Sequence, residues 1–191
     1  MDWILASASP RRKQLFGEVV EKFDIIVAKG EEKADGTTPE ALVKTLATQK
    51  AEEVALLDIA KGKAVLGADT VVALDGEVLG KPKDEADARR MLCALSGRAH
   101  EVYTGVCMSY LENGKRKTLV KADCTKVYFN ALTSEFIDEY IKSGSPMDKA
   151  GAYGIQDGGL VDKIDGSFTN VVGLPIELCK EMLKEIISKK A

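Results

Sequence analysis

The chain has 191 residues, 45% hydrophobic and 30% charged, with a formal net charge of −3 and a pI of about 5.4. This is globular composition, long enough to bury a core as one domain or as two lobes sharing a sheet. The acidic balance excludes a broad nucleic-acid surface, and no apolar run approaches the roughly 20 residues of a membrane span.

In chain order, Trp3 to Ala6 reads as a short buried strand. Ser9 then offers an N-cap oxygen, Pro10 suits the first helical position, and Gln14-Leu15-Phe16 continue the helix. Phe23 to Val27 is a second strand, and Lys29 to Thr38 a polar loop. From Pro39 a long amphipathic helix runs to about Leu57, with its apolar stripe on Leu42, Leu46, Ala47, Ala51, Val54 and Ala55. Ala64 to Ala68 is a buried strand, and Val71 to Leu74 pairs with Glu77 to Leu79 across an Asp75-Gly76 turn. Asp84 to Leu95 is helical and stops at Ser96-Gly97. His100 to Tyr110 and Lys115 to Phe129 form a long hairpin around Asn113-Gly114, and Thr133 to Lys142 a helix. Gly144 to Gly166 holds short irregular pieces, and a last helix runs from Leu174-Pro175 to about Ser188. The fold class is α/β, with the hairpins making the sheet mixed.

Four cysteines (Cys93, Cys107, Cys124, Cys179) and one histidine, His100, are too scattered for a zinc site, and with a strand motif within a few residues of Met1 no export signal is expected. The cysteines are expected to be buried or semi-buried thiols of a reducing cytoplasm, and His100 a structural residue.

Five stretches bear on chemistry. Ser7-x-Ser9-Pro10-Arg11-Arg12 gathers hydroxyls, free backbone N–H groups and two guanidinium groups at a helix N-terminus, a place that favours phosphate; by itself it also fits a capped surface helix. Gly67-Ala68-Asp69-Thr70 places an acid at the end of an apolar strand, costly unless paired or bound to a cation, with a strand-end turn as the alternative. Gly80-Lys81-Pro82 lacks Walker spacing, leaving Lys81 either beside phosphates or on an exposed turn. Between Pro146 and Gln156 the glycines permit close backbone approach or simply build turns, and Gln156 offers a donor and an acceptor to a base edge. Glu31-Glu32 could bind a divalent cation or lie solvated, and Lys50 defaults to the polar face of its helix.

Together with Leu95-Ser96-Gly97, Thr104-Gly105 and Val171-Val172-Gly173-Leu174-Pro175, these motifs resemble the Maf family in order and spacing across essentially the whole chain. The resemblance implies a two-lobed mixed β-sheet with flanking helices, similar to the inosine triphosphate pyrophosphatase (Ham1) fold, as one domain over 1–191 with the active cleft between the lobes. It implies a cytoplasmic nucleoside triphosphate pyrophosphatase that needs Mg²⁺ or Mn²⁺, often a homodimer, in a family linked to septum formation. No nucleic-acid or membrane partner is expected. By resemblance Asp69 is the proton acceptor; Ser7, Ser9, Arg11, Arg12, Glu32, Lys50 and Lys81 line the triphosphate site; and Asp69 and Glu32 hold the metal. One branch prefers dTTP and UTP, another methylated GTP, and Arg12, Thr70 and Gln156 match the first. A methylated-GTP or inosine-type hydrolase, or a non-catalytic nucleotide-binding regulator of cell division, are the alternatives.

Overall fold

The computed structural model describes residues 1–31 and 38–189. Among these, seven strands form one mixed sheet. Next to its edge strand β2 (Phe23–Ile25), β1 (Trp3–Leu5) lies parallel to both β2 and β3 (Ala64–Leu74). Beyond β3 the sheet continues antiparallel through β5 (Ala99–Glu112), β6 (Lys115–Phe129) and β7 (Val161–Asp165), while β4 (Glu77–Leu79) folds back on the end of β3. Both hairpins turn where expected. Asp75 and Gly76, like Asn113 and Gly114, take positive φ, the left-handed pair that matches the twist of adjoining strands.

Helix α2 (Pro39–Ala55) covers one face of the sheet and packs Ala47, Ala51 and Val54 on Ile4, Val65 and Cys107. Across the sheet, α1 (Pro10–Gly17) and α6 (Ile176–Ser188) bury Leu15, Phe16, Met182 and Ile186 against Leu66, Ala68 and Met108. Further along, α3 (Glu85–Leu95) and α4 (Ser134–Lys142) close a third apolar cluster over Val72, Leu74, Val102 and Phe129. Asp84 and Thr133 cap these two helices through the N–H groups of Asp87 and Phe136.

Four sequence expectations need correction. β3 does not stop at Ala68: β5 pairs with it continuously from Val65 to Ala73, so Asp69 stands mid-strand, opposite Gly105. β7 and α5 (Phe168–Val172) emerge from and just after the glycine-rich run. β7 escapes simple alternation because its core residues, Val161 and Ile164, are three apart, and a bulge at Tyr128–Phe129 brings both inward. In α2 the core takes Val43 rather than Leu42. Finally, Cys93 and Cys124 are exposed; only Cys107 and Cys179 are buried, and all four are free thiols. Cys93 points outward because Leu92 and Leu95 claim the inner face of α3. Burial pushes the Cys107 and Cys179 thiols up to about 12, so they are inert at neutral pH.

No helix among the described residues is long and apolar enough to cross a membrane.

One topological detail opens the site. β1 pairs with β3 only as far as Leu66, with Ala6 N–H donating to the Leu66 carbonyl at 2.8 Å, and β4 joins the same edge only at Val72. From Gly67 to Val71 the edge of β3 has no strand neighbour among the described residues. Side chains from both faces of the sheet therefore reach one crevice there.

Candidate active site

The N-terminal wall of the crevice is the turn into α1. Ser9 caps the helix by accepting from Arg12 N–H at 3.4 Å, and Ser7 Oγ accepts from Ser9 N–H at 3.2 Å. These bonds tighten the turn that leads from β1 into α1, so Arg11 and Arg12 leave the helix beside the β3 edge. Arg12 Nε donates to the Gly173 carbonyl at 2.8 Å, and Nη2 to Thr70 Oγ1 at 2.9 Å.

The opposite wall is α2. Gly67 and Gly105 lie beneath it, and a Cβ on Gly105 would collide with the Val43 carbonyl, one on Gly67 with the Ala47 carbonyl. Bare backbone thus lets the helix sit directly on the sheet. Leu42, Leu46 and Lys50, spaced four apart on one helical face, all border the crevice. Lys50 is therefore not a solvent-facing lysine. Its ammonium pairs with the Asp69 carboxylate, and the two side chains are only 17% and 14% exposed. The cost expected for a mid-strand acid is met by a charged partner.

The crevice has a volume of about 820 Å³, within the roughly 300–1,000 Å³ of ligand pockets. It brings together Ser7, Ser9, Arg11, Arg12, Lys50, Asp69, Thr70, Lys81 and Gln156. These are all the sequence candidates among the described residues except Glu31. Glu32 lies outside the described residues, and Glu31 is exposed. Five cationic side chains (Arg11, Arg12, Lys50, Lys81, Lys149) border the crevice against two carboxylates, Asp69 and Asp148. In a chain of net negative charge, such a local excess of cations selects an anion. The amino-terminal arginine pair and Asp69 therefore share one crevice.

Gln156 sits exposed on a single 3₁₀ turn, Ile155–Asp157, whose support the sequence did not disclose. Tyr140 OH donates to Asp157 Oδ2 at 2.5 Å and accepts from Gly154 N–H at 3.1 Å; Ser145 Oγ also donates to Asp157, at 2.7 Å. Burial raises the Asp157 carboxyl, but the bonds from Tyr140 and Ser145 and the charge of Lys149 outweigh it and leave it below the usual carboxylate range. Lys149 Nζ donates to the carbonyl of Ser145 at 2.5 Å. Gln156, on a single turn, gains its position from this anchor. The tyrosine in helix α4 and the aspartate after Gln156 carried no pattern that would have paired them.

His100 is structural, as expected. It is 2% exposed, its Nε2 lies 2.8 Å from Tyr153 OH, and its ring packs edge-on to Phe129 and Tyr153. Burial lowers its pKa to about 4.

No three His, Cys, Asp or Glu side chains converge among the described residues. Asp69 and Asp148 offer the crevice carboxylate oxygens, the hard ligands it holds among the described residues. That donor set suits Mg²⁺ or Mn²⁺ carried by phosphate oxygens and water better than an all-protein cage.

Comparison with known proteins agrees with this geometry. A family profile described as "Maf-like protein" matches residues 2–186. A Carboxydothermus hydrogenoformans protein named "dTTP/UTP pyrophosphatase" is 49% identical over 183 residues, covering 95% of this chain and 96% of its own. One of the same name from Thermococcus gammatolerans is 44% identical, covering 97% and 99%. Among solved structures, the Staphylococcus aureus Ham1 protein aligns with a TM-score of 0.57 over 97% of this chain and 100% of its own at 16% identity, a likeness of fold. By profile and by relatives alike, the chain belongs to the Maf family.

Proposed function

We propose that this chain is a nucleoside triphosphate pyrophosphatase that hydrolyses dTTP and UTP to the nucleoside monophosphate and pyrophosphate. The reading is carried by one juxtaposition: a cation-rich crevice of about 820 Å³ that also holds a lysine-paired aspartate on an open sheet edge. The names of the two relatives from C. hydrogenoformans and T. gammatolerans supply the substrate class.

In this reading Ser7, Ser9 and the backbone of the α1 turn donate to phosphate oxygens, and Arg11, Arg12, Lys50 and Lys81 neutralise them. Attack of water on phosphorus breaks the P–O bond between the α- and β-phosphates, and pyrophosphate leaves. The proton of the attacking water passes to Asp69, with Lys50 holding that carboxylate in place. Asp69, with Glu32, is the proposed holder of a divalent ion. Bound there, Mg²⁺ or Mn²⁺ would supply charge neutralisation and a lower pKa for water. Arg12, Thr70 and Gln156 set base preference, Gln156 by pairing with the edge of the base. The crevice is read as the boundary between two lobes of one domain, and the protein as a cytoplasmic homodimer.

The test is pyrophosphate and monophosphate release from a nucleotide panel with Mg²⁺ or Mn²⁺. dTTP and UTP are expected to be hydrolysed at least about tenfold faster than ATP, GTP, methylated GTP and ITP. Preference for a methylated or inosine nucleotide would move the chain to another activity of this class. Tight binding without product would make it a regulator.

A further inference from the structure

A chain of hydrogen bonds runs from Arg12 into the protein interior, and its direction is determined. Thr104, fully buried on β5, donates its hydroxyl proton to the Asn170 carbonyl at 2.9 Å. Its oxygen lies 2.9 Å from Thr70 Oγ1. A hydroxyl has one proton. With that of Thr104 committed to a carbonyl, the proton between the two threonines must come from Thr70. Thr70 therefore meets Arg12 Nη2, 2.9 Å away, with lone pairs only. The guanidinium is held a second time by the carbonyl of Gly173, just past the end of α5, at 2.8 Å from Nε. Helix α5 thus fixes both ends of the chain, through Asn170 and through Gly173. It is itself pinned from below, where Asn170 Nδ2 donates to the Val102 carbonyl at 2.9 Å and to Thr125 Oγ1 at 3.0 Å.

We propose that Thr104 and Asn170 are positioning residues for Arg12: the one-way relay from Arg12 through Thr70 and Thr104 to the Asn170 carbonyl holds the guanidinium in the crevice and so sets discrimination between triphosphates. This rests on the functional reading above in that Arg12 meets the substrate. Both residues are fully buried, so neither acts by touching it. Asn170 also keeps a side-chain oxygen buried without a partner, a cost the fold accepts where its amide anchors α5.

The test compares Thr104→Val, Thr104→Ser and Thr70→Val, reading hydrogen exchange of the Arg12 Nε–H by ¹⁵N NMR, assigned by its loss in Arg12→Lys, together with KM and kcat for dTTP and ATP. Thr104→Val keeps the shape and removes the hydroxyl. It is expected to speed Nε–H exchange about fivefold or more and to lower dTTP-over-ATP discrimination about tenfold, mainly through KM. Thr104→Ser is expected to stay within about twofold of wild type, and Thr104→Val to add nothing in a Thr70→Val background. Unchanged exchange and discrimination in Thr104→Val, equal impairment in Thr104→Ser, or multiplying effects in the double variant would each overturn the relay. Should Thr104→Val not fold, Thr70→Val alone decides, since unchanged exchange there is equally fatal. A wild-type enzyme indifferent to dTTP would instead sink the functional reading, while the exchange measurement still judges the relay.

Discussion

At the scale of single residues, the site is a set of charges whose partners define their roles. Asp69 is mostly buried and holds an ammonium rather than backbone donors, which separates it from a turn-forming aspartate. Asp69→Asn keeps the shape of the side chain and one acceptor for Lys50 but loses the carboxylate proposed to take the proton. It is expected to stay folded and to lose about 10²–10⁴-fold in kcat, checked by pyrophosphate release alongside circular dichroism. Gln156 stands on a turn anchored independently by Asp157, so truncating it leaves the phosphate end intact. Gln156→Ala should therefore lower the dTTP-to-ATP ratio of kcat/KM about tenfold, with inhibition by pyrophosphate unchanged. An unchanged ratio would remove Gln156 from base recognition.

At the scale of elements, the site is made by what strands and helices leave uncovered. β1 ends too early and β4 begins too late to cover β3 from Gly67 to Val71, and α2 lies close because Gly67 and Gly105 lack side chains. Gly105→Ala places a methyl against the main chain of Val43, which cannot swing aside. The expected cost is about 2 kcal/mol or more, together with lower kcat/KM as Lys50 shifts, measured by urea unfolding and steady-state kinetics. Much of this scale was legible in the sequence. Asp75-Gly76 and Asn113-Gly114 announced their turns through residues that tolerate positive φ, and Ser9-Pro10 announced α1 through its cap. β7 was hidden because a bulge breaks the period-two signal, and α5 because five residues hold too little periodicity. Lys50 illustrates the middle ground. Its i−4 and i−8 neighbours, Leu46 and Leu42, place it on an apolar face, but only the tertiary gap reveals that this face looks into a crevice. The Tyr140–Asp157 anchor and the Thr104–Asn170 contact were out of reach, since each joins residues far apart in sequence through a single bond.

For the molecule as a whole, one buried group links stability to acidity. His100 is buried neutral with a pKa of about 4, against an unfolded value of 6.5. Between those values the unfolded chain binds the extra proton, so stability falls as pH drops from about 6.5 towards 4. The loss from this group is on the order of 3 kcal/mol. Urea midpoints measured across that range should fall for wild type and fall less for His100→Gln, which lacks the titration; parallel curves would refute the assignment. The same burial keeps His100 uncharged near pH 7, and the cationic side chains that border the crevice are arginines and lysines.

The glycine seats under α2 carry a last consequence. Because α2 comes within main-chain distance of the sheet at those two positions, they help set the span from Lys50 to Asp69. Repacking the two apolar clusters away from α2 to raise thermal tolerance should thus leave the Lys50–Asp69 pair in register, whereas a carbon added at Gly67 or Gly105 would push the helix off its seat.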